Sequence, residues 1–176
     1  MKKYEIGLYE KAMRNTLTWK EKLQCAKECG YDYLEISIDA TEEKINRIYM
    51  DTEEKREIME AIFDTGIPIG SMSVSALTKY ALGDPDQAVR DRGMEIAEKS
   101  IQLSSALGVR TVMIPGYDIY YGESTIETKR YFLENIRKIA EIAEREGILV
   151  GFETMENNFM NTTGKAVQYV NMVDSA

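Results

Sequence analysis

The sequence predicts an α/β protein in which parallel strands alternate with amphipathic helices. Five short apolar runs recur along the chain, and each is followed by a segment whose apolar residues return at helical spacing. The spacing between runs is close to the ~30 or more residues that a strand–helix–strand unit occupies. No linker or change in composition divides the 176 residues, so we predict one domain spanning residues 1–176.

The five predicted strands are rich in β-branched and aromatic residues and are bounded by polar or glycine-containing segments. Parallel strands joined by helices require right-handed crossovers, which fits this alternation. In chain order the strands are YEIGLY (4–9), YDYLEISI (31–38), IPIGSMSVS (67–75), VRTVMIPG (109–116) and ILVGFE (148–153).

The helices between the strands carry recognisable start and stop signals. Gly30 and Gly108 are the predicted stops of two of them, because glycine adopts the left-handed conformation that ends a helix. A further helix, roughly TGKAVQYVNMV, closes the chain. The predicted N-terminal signals are Thr18 with Glu21, Asp51 with Glu54, Asp84 followed by Pro85, and Ser124 with Glu127.

Composition excludes several functional classes. The net charge of −8 disfavours nucleic acid and anionic membrane surfaces as partners, because both would repel an acidic protein. No run approaches the ~20 apolar residues of a membrane helix, and none resembles a signal peptide, which predicts a cytoplasmic protein. The sequence contains no histidine, so acid–base chemistry within it must use carboxylates, lysine, tyrosine or cysteine.

Polar side chains gather at the carboxyl ends of the predicted strands, where α/β proteins place their active sites. Each alone is explained by a solvated loop or a helix cap, but their shared position favours a site. Periodicity leaves open whether the units form a doubly wound sheet or part of a (β/α)₈ barrel. No glycine-rich phosphate fingerprint follows the first strand, which weakens the nucleotide-binding alternative. The residues are Glu10, Glu35, Ser73, Ser75, Tyr117, Asp118 and Glu153.

Tyrosines cluster in PGYDIYYGES (115–124), directly after the fourth predicted strand. Two interpretations stay open for Tyr117, Tyr120 and Tyr121. They either pack a long loop against neighbouring helices or line a sugar pocket, where amphipathic rings are useful.

Five blocks of the sequence, in this order and spacing, resemble the sugar-phosphate 3-epimerases of the xylose isomerase-like superfamily. The blocks are GLYEKAM, YDYLEISID, SMSVSALTKYALGD, IPGYDIYYGES and GFETMENNFMN. They are most similar to the L-ribulose-5-phosphate 3-epimerase family, also called hexulose-6-phosphate isomerase-like. The resemblance implies a (β/α)₈ barrel that interconverts L-xylulose 5-phosphate and L-ribulose 5-phosphate with a divalent metal, Mn, Zn or Mg. The metal would stabilise the enediolate formed when the C3 proton is removed.

The same resemblance implies roles for individual residues. Glu153 is expected to be a metal ligand and one of two acid–base carboxylates, and Glu35, Tyr117 and Asp118 are expected to bind substrate. The family has a histidine where this chain has Leu77, and we expect Lys79 to replace that contact.

The resemblance also implies ligands that this chain lacks. An Asp, a His and a second Glu are expected from the sixth, seventh and eighth strands of the family, and a full barrel takes ~250 residues. We therefore predict an incomplete barrel of about five βα units, truncated and with little or no activity. Its open edges should favour a homo-oligomer. The alternatives are a non-catalytic module, a subunit completed by another chain, or another superfamily enzyme such as an inosose dehydratase or a free-sugar epimerase.

Overall fold

A computed structural model describes residues 4–175 and places five parallel strands in one sheet, in the order β1-β2-β3-β4-β5. Residues 1–3 and 176 of the predicted domain lie outside the described residues. The predicted alternation of strands and helices is confirmed. The strands are β1 (Gly7–Tyr9), β2 (Tyr33–Ser37), β3 (Ile69–Ser73), β4 (Thr111–Pro115) and β5 (Leu149–Glu153).

Six α-helices connect or follow these strands within the described residues. The predicted break near Asp51 separates α2 from α3, and the closing helix has the predicted bounds. The helices are α1 (Trp19–Glu28), α2 (Glu42–Asn46), α3 (Thr52–Thr65), α4 (Gln87–Ala106), α5 (Ile126–Glu146) and α6 (Thr163–Val173).

Two predicted capping boxes are present, and they fix where α1 and α3 begin. Thr18 accepts a hydrogen bond from the backbone N–H of Glu21, whose carboxylate accepts one from the N–H of Thr18. Asp51 and Glu54 exchange the same pair of bonds. These reciprocal contacts satisfy backbone donors that have no partner inside a helix.

The predicted starts of α4 and α5 were wrong. Asp86, not Asp84, caps α4, since its carboxylate accepts the backbone N–H of Ala88. The carboxylate of Asp84 accepts the N–H of Asp86 instead, in a turn before the helix. Thr125, not Ser124, caps α5 and forms its capping box with Thr128. The Ser124 hydroxyl instead donates to the carboxylate of Asp118 at 2.7 Å.

The two faces of the sheet carry different side chains. Leu34 and Ile36 point towards the helices and are fully buried in the core, whereas Tyr33 and Glu35 point into a cavity on the opposite face. This alternation follows from the two-residue period of a strand.

The ring of Tyr33 lies across β1 and β3 on the cavity face. A Cβ atom at Gly7 would stand 2.2 Å from the Tyr33 ring, and one at Gly70 would stand 2.5 Å from it. A side chain at either position would therefore have to displace the Tyr33 ring, which forms part of the cavity wall. No helix within residues 4–175 has the length and apolar character that a bilayer crossing requires.

Candidate active site

The cavity face of the sheet encloses about 750 Å³ and contains two of the four carboxylates predicted at the strand ends, Glu35 and Glu153. Parallel strands bring their carboxyl ends to one edge of the sheet, which is why residues far apart in sequence meet here. The lining includes the side chains of Tyr9, Glu35, Ser71, Ser73, Met113 and Glu153.

Glu35 is held in place by a hydroxyl from the neighbouring strand. Ser71 donates a hydrogen bond of 2.5 Å to its carboxylate. The pairing of β2 with β3 shifts register between Leu34 and Glu35, so that Glu35 lies opposite Ser71. An irregularity of this kind re-aims a side chain, and here it places both polar groups in the cavity.

Glu153 ends β5 on the same face, and its surroundings raise its pKa. The residue is partly exposed, but its partial burial is still the largest cause, and the negative charges of Glu35 and Glu156 add to it, while Lys11 acts in the opposite direction. A carboxyl group with a raised pKa binds a proton more readily than an ordinary surface glutamate. Glu153 is therefore suited to proton transfer.

Lys11 supplies positive charge at the mouth of this cavity, and sequence reasoning did not identify it. Its ammonium group donates to the hydroxyl of Ser75 at 3.0 Å and lies 3.7 Å from the carboxylate of Asp39. The loops after β1, β2 and β3 thus meet at this lysine. Its position directly after a predicted strand was the only signal in the sequence.

Glu10 was expected with the polar residues at the strand ends, and that expectation was wrong. Its side chain is fully buried, away from the cavity. Lys22 and Lys44 each donate to it at 2.6 Å, and Arg47 donates to both of its oxygens. The backbone N–H of Ser37 is a further donor. These ion pairs hold the Glu10 side chain in the interior of the protein. There it connects the end of β1 to Lys22 of α1 and Lys44 of α2 and does not face the cavity.

Tyr117 and Asp118 lie beside the main cavity in a second one of about 400 Å³. Tyr117 donates to Glu156 at 2.7 Å. Burial, followed by the hydrogen bond and charge of Glu156, raises the pKa of Tyr117. Asp118 is buried and accepts bonds from the Ser124 and Thr128 hydroxyls. It organises the start of α5.

Lys79 is not among the residues that line either cavity. It is exposed after a short 3-10 helix, and its ammonium lies 5.1 Å from the centre of the Tyr80 ring. Leu77, at the position of the family histidine, is buried in the core. A substrate-binding role for Lys79 stays a prediction that this geometry does not favour.

The fold and the site together define a class of protein. The model of the family described as "Xylose isomerase-like TIM barrel" matches residues 23–176, and the chain belongs to this family. A complete barrel of this kind has eight parallel βα units, with its active site at the carboxyl ends of the strands. The five parallel strands of this chain, with carboxylates at their carboxyl ends, correspond to part of such a barrel.

Particular relatives are sugar epimerases. The chain is 36% identical over 174 residues to "L-ribulose-5-phosphate 3-epimerase UlaE" of Escherichia coli O157:H7, covering 99% of this chain and 61% of the relative. A solved D-psicose 3-epimerase has a TM-score of 0.81 at 20% identity, covering 98% of this chain and 61% of that one. A xylose isomerase-like protein from Mycobacterium smegmatis, solved in complex with magnesium, has a TM-score of 0.74 at 16% identity, covering 98% and 62%. The chain thus spans about three fifths of the length of these proteins.

The described residues do not by themselves fit a divalent metal. Within residues 4–175, no group of three or more His, Cys, Asp or Glu side chains is arranged to hold an ion. Glu35 and Glu153 share one cavity but provide only two carboxylates, and protein sites for Zn²⁺ or Ca²⁺ normally use three or more ligands.

Proposed function

We propose that this chain contributes part of the active site of an epimerase that interconverts L-xylulose 5-phosphate and L-ribulose 5-phosphate at C3. The observation that carries the proposal is the position of Glu153, which ends β5 in the same cavity as Glu35. The likeness to the Escherichia coli epimerase over nearly the whole chain supports it.

The chemistry assigned to Glu153 is removal of the C3 proton. That proton is acidic because it lies next to the C2 carbonyl, and the carboxylate of Glu153 at the end of β5 is a group in the cavity that can accept it. Glu35 and Ser73, from neighbouring strands, would bind sugar hydroxyls. Epimerisation also needs a second group to return a proton from the opposite face of the sugar, because one fixed carboxylate serves only one face.

Lys11 favours a phosphorylated sugar over a neutral one. It is a cation at the cavity mouth whose charge reaches Glu153, and phosphate binds readily to lysine. Lys11→Met should therefore weaken binding of L-ribulose 5-phosphate and leave binding of L-ribulose unchanged. Equal effects on the two sugars would favour a free-sugar epimerase instead.

We further propose that Glu153 is one ligand of a divalent ion whose other ligands lie outside residues 4–175. The 176-residue chain alone would then have little or no activity. Purified chain can be incubated with L-ribulose 5-phosphate and manganese in deuterium oxide, with epimerisation and C3 deuteration followed by NMR. We expect epimerisation far below that of the Escherichia coli relative assayed in parallel, and loss of any residual deuteration in Glu153→Gln. Turnover at the relative's rate would contradict this proposal.

The second candidate function is a non-catalytic partial barrel, or a subunit that another chain completes. The exposed apolar side chains of β5 and α6 favour it, because they offer a surface for a partner. Substrate binding distinguishes the two candidates. L-ribulose 5-phosphate bound by the purified chain and lost in Glu153→Ala supports the enzyme site, and the absence of such binding supports the module.

A further inference from the structure

The two cysteines of the chain lie one helical turn apart at the end of α1. Cys25 and Cys29 both carry free thiols. The backbone N–H of Cys29 donates to the carbonyl of Cys25 at 3.0 Å, which keeps the helical geometry through this last turn. Residues four apart share one face of a helix. The two thiols therefore stand on the same face, with Cys29 exposed and Cys25 partly exposed.

The two thiols interact with each other. The pKa of Cys25 is raised, with burial as the largest cause, followed by the charge and hydrogen bond of Cys29 and then the charge of Glu28. Two thiolates this close repel each other, so the metal-free pair keeps its protons at neutral pH. A cation bound between the sulfur atoms removes that repulsion and stabilises both thiolates.

The spacing of the pair suits a bridging ion better than a disulfide. Cβ atoms four residues apart on a helix are about 5–6 Å from each other, whereas a disulfide needs about 3.5–4.5 Å. A disulfide would therefore have to unwind the last turn of α1. A metal ion adds two metal–sulfur bonds, each about 2.3 Å in zinc sites, and so spans the longer distance.

The number of ligands selects the ion. Among residues 4–175, no three His, Cys, Asp or Glu side chains are arranged around a common metal position, and Zn²⁺ normally takes four ligands. Thiolates are soft ligands that select Cu(I), and this ion is stable with two of them in a near-linear arrangement. Two sulfur atoms alone thus suit Cu(I).

The surroundings of the pair also favour a cation. Glu21 and Glu28 lie with Cys25 along one surface groove of α1. Lys20 lines the same groove, but its ammonium group pairs with Asp64 of α3 at 2.7 Å. Negative charge therefore remains beside the thiols, and it attracts a positive ion.

We propose that Cys25 and Cys29 form a site that binds one Cu(I) ion. Each sulfur releases its proton to the solvent and forms one bond to the ion, so that two protons leave for each Cu(I) bound. The site lies on the outer side of the helix layer, and no residue of α1 lines the cavity that holds Glu153. It does not depend on the proposed epimerase activity.

Titration of the reduced 176-residue chain with Cu(I) under nitrogen, in competition with the chromogenic chelator bicinchoninate, tests this site. We expect the chain to withdraw one equivalent of Cu(I) from the chelator and to gain a thiolate-to-copper absorption in the ultraviolet. Cys25→Ser and Cys29→Ser should each abolish this binding, because a single thiolate does not chelate. The apparent affinity should fall about a hundredfold for each unit of pH, since two protons compete with each ion.

A variant with displaced thiols is the matched control. Cys25→Ser combined with Gln24→Cys keeps two thiols but places them five residues apart, so that they no longer share a face. Gln24 is exposed and donates to Glu28 at 2.9 Å on the surface of α1, so the fold should be unchanged, which circular dichroism checks. We expect this variant to lose the Cu(I) binding.

Three results would overturn the copper site. The first is a reduced parent chain that leaves all Cu(I) on the chelator. The second is equal binding by Cys29→Ser and the parent, which would assign the ion to other ligands such as methionines. The third is equal binding by the variant with displaced thiols, which would show that the helical spacing has no role.

Discussion

At the scale of single residues, Glu10 is a buried carboxylate surrounded by excess positive charge. Lys22, Lys44 and Arg47 all donate to it, and the side chains of both lysines are at most 3% exposed. Burial alone would raise the pKa of Glu10. The bonds and charges of Arg47, followed by the bonds from the two lysines, outweigh burial and hold the pKa well below its usual range.

Glu10→Gln should therefore destabilise the protein by about 3 kcal/mol or more at pH 7, because it leaves buried cations without their counter-charge. Urea unfolding measures this change. A depressed folded-state pKa gives stability that is present above the unfolded pKa of about 4.3 and is lost as pH falls through the folded value. The difference in the free energy of unfolding between the parent and Glu10→Gln should thus be smaller by about 1–2 kcal/mol at pH 3 than at pH 7.

Glu134→Gln is the control for this substitution. Glu134 pairs with Arg130 at 2.8 Å, but both side chains are about half exposed. Loss of this pair should change the free energy of unfolding by no more than about 0.5 kcal/mol. Equal destabilisation by the two variants, or a Glu10 effect that does not change with pH, would contradict the assigned electrostatic role.

Neighbouring residues of the β1–α1 loop also show what the sequence could not predict about the site. Glu35 and Glu153 were predictable, because each stands in the last residues of an apolar run. Glu10 and Lys11 follow the same kind of run, yet one points into the core and the other to the cavity mouth. The direction of each side chain is set by partners that are distant in sequence, Lys44 for Glu10 and Ser75 for Lys11. The periodicity of the sequence cannot predict such contacts.

At the scale of elements, the N-terminus of α5 connects helix capping to the second cavity. Thr125 and Thr128 exchange backbone-to-side-chain hydrogen bonds, and the Thr128 hydroxyl also donates to Asp118 at 2.6 Å. The start of the helix and the loop that carries Tyr117 are therefore fixed by one small network.

Thr125→Ala should destabilise the protein by about 1 kcal/mol, the usual cost of losing a side-chain N-cap. Thermal or urea unfolding measures it. Glu127→Gln is the control, because Glu127 is exposed in the first turn and should change stability by less than about 0.5 kcal/mol. A larger effect of Glu127→Gln would instead support the capping box of Ser124 and Glu127 that the sequence suggested.

The α4 and α5 starts show why some helix ends were predicted and others were missed. Thr18 and Asp51 each have a glutamate three residues further on, which completes a capping box. The neighbouring Thr16 and Thr52 have none at that spacing, so the local pattern had one solution. Two candidates stand close together at each missed end, Asp84 with Asp86 and Ser124 with Thr125. Contacts outside the helix, such as Ser124 with Asp118, decide between them.

At the scale of the whole molecule, the β5 side of the sheet exposes apolar surface. Within residues 4–175, β5 pairs only with β4, and α6 has no fully buried residue. A groove of about 190 Å³ runs between α5, β5 and α6 and includes Ile136, Val150, Phe152 and Val170. Unpaired strand edges and exposed apolar patches both promote association.

Leu149, Val167, Val170 and Met172 are each at least half exposed on this side, and we expect the chain to self-associate through them. Light scattering should give a mass that rises with concentration, because burying this surface removes apolar area from water. Val167→Lys combined with Val170→Lys should restore the monomer mass. Phe63→Lys is the matched control, since Phe63 is 88% exposed on α3, away from this edge, and it should leave association unchanged. A parent chain that stays monomeric at high concentration, or equal loss of association in both variants, would contradict an interface at β5 and α6.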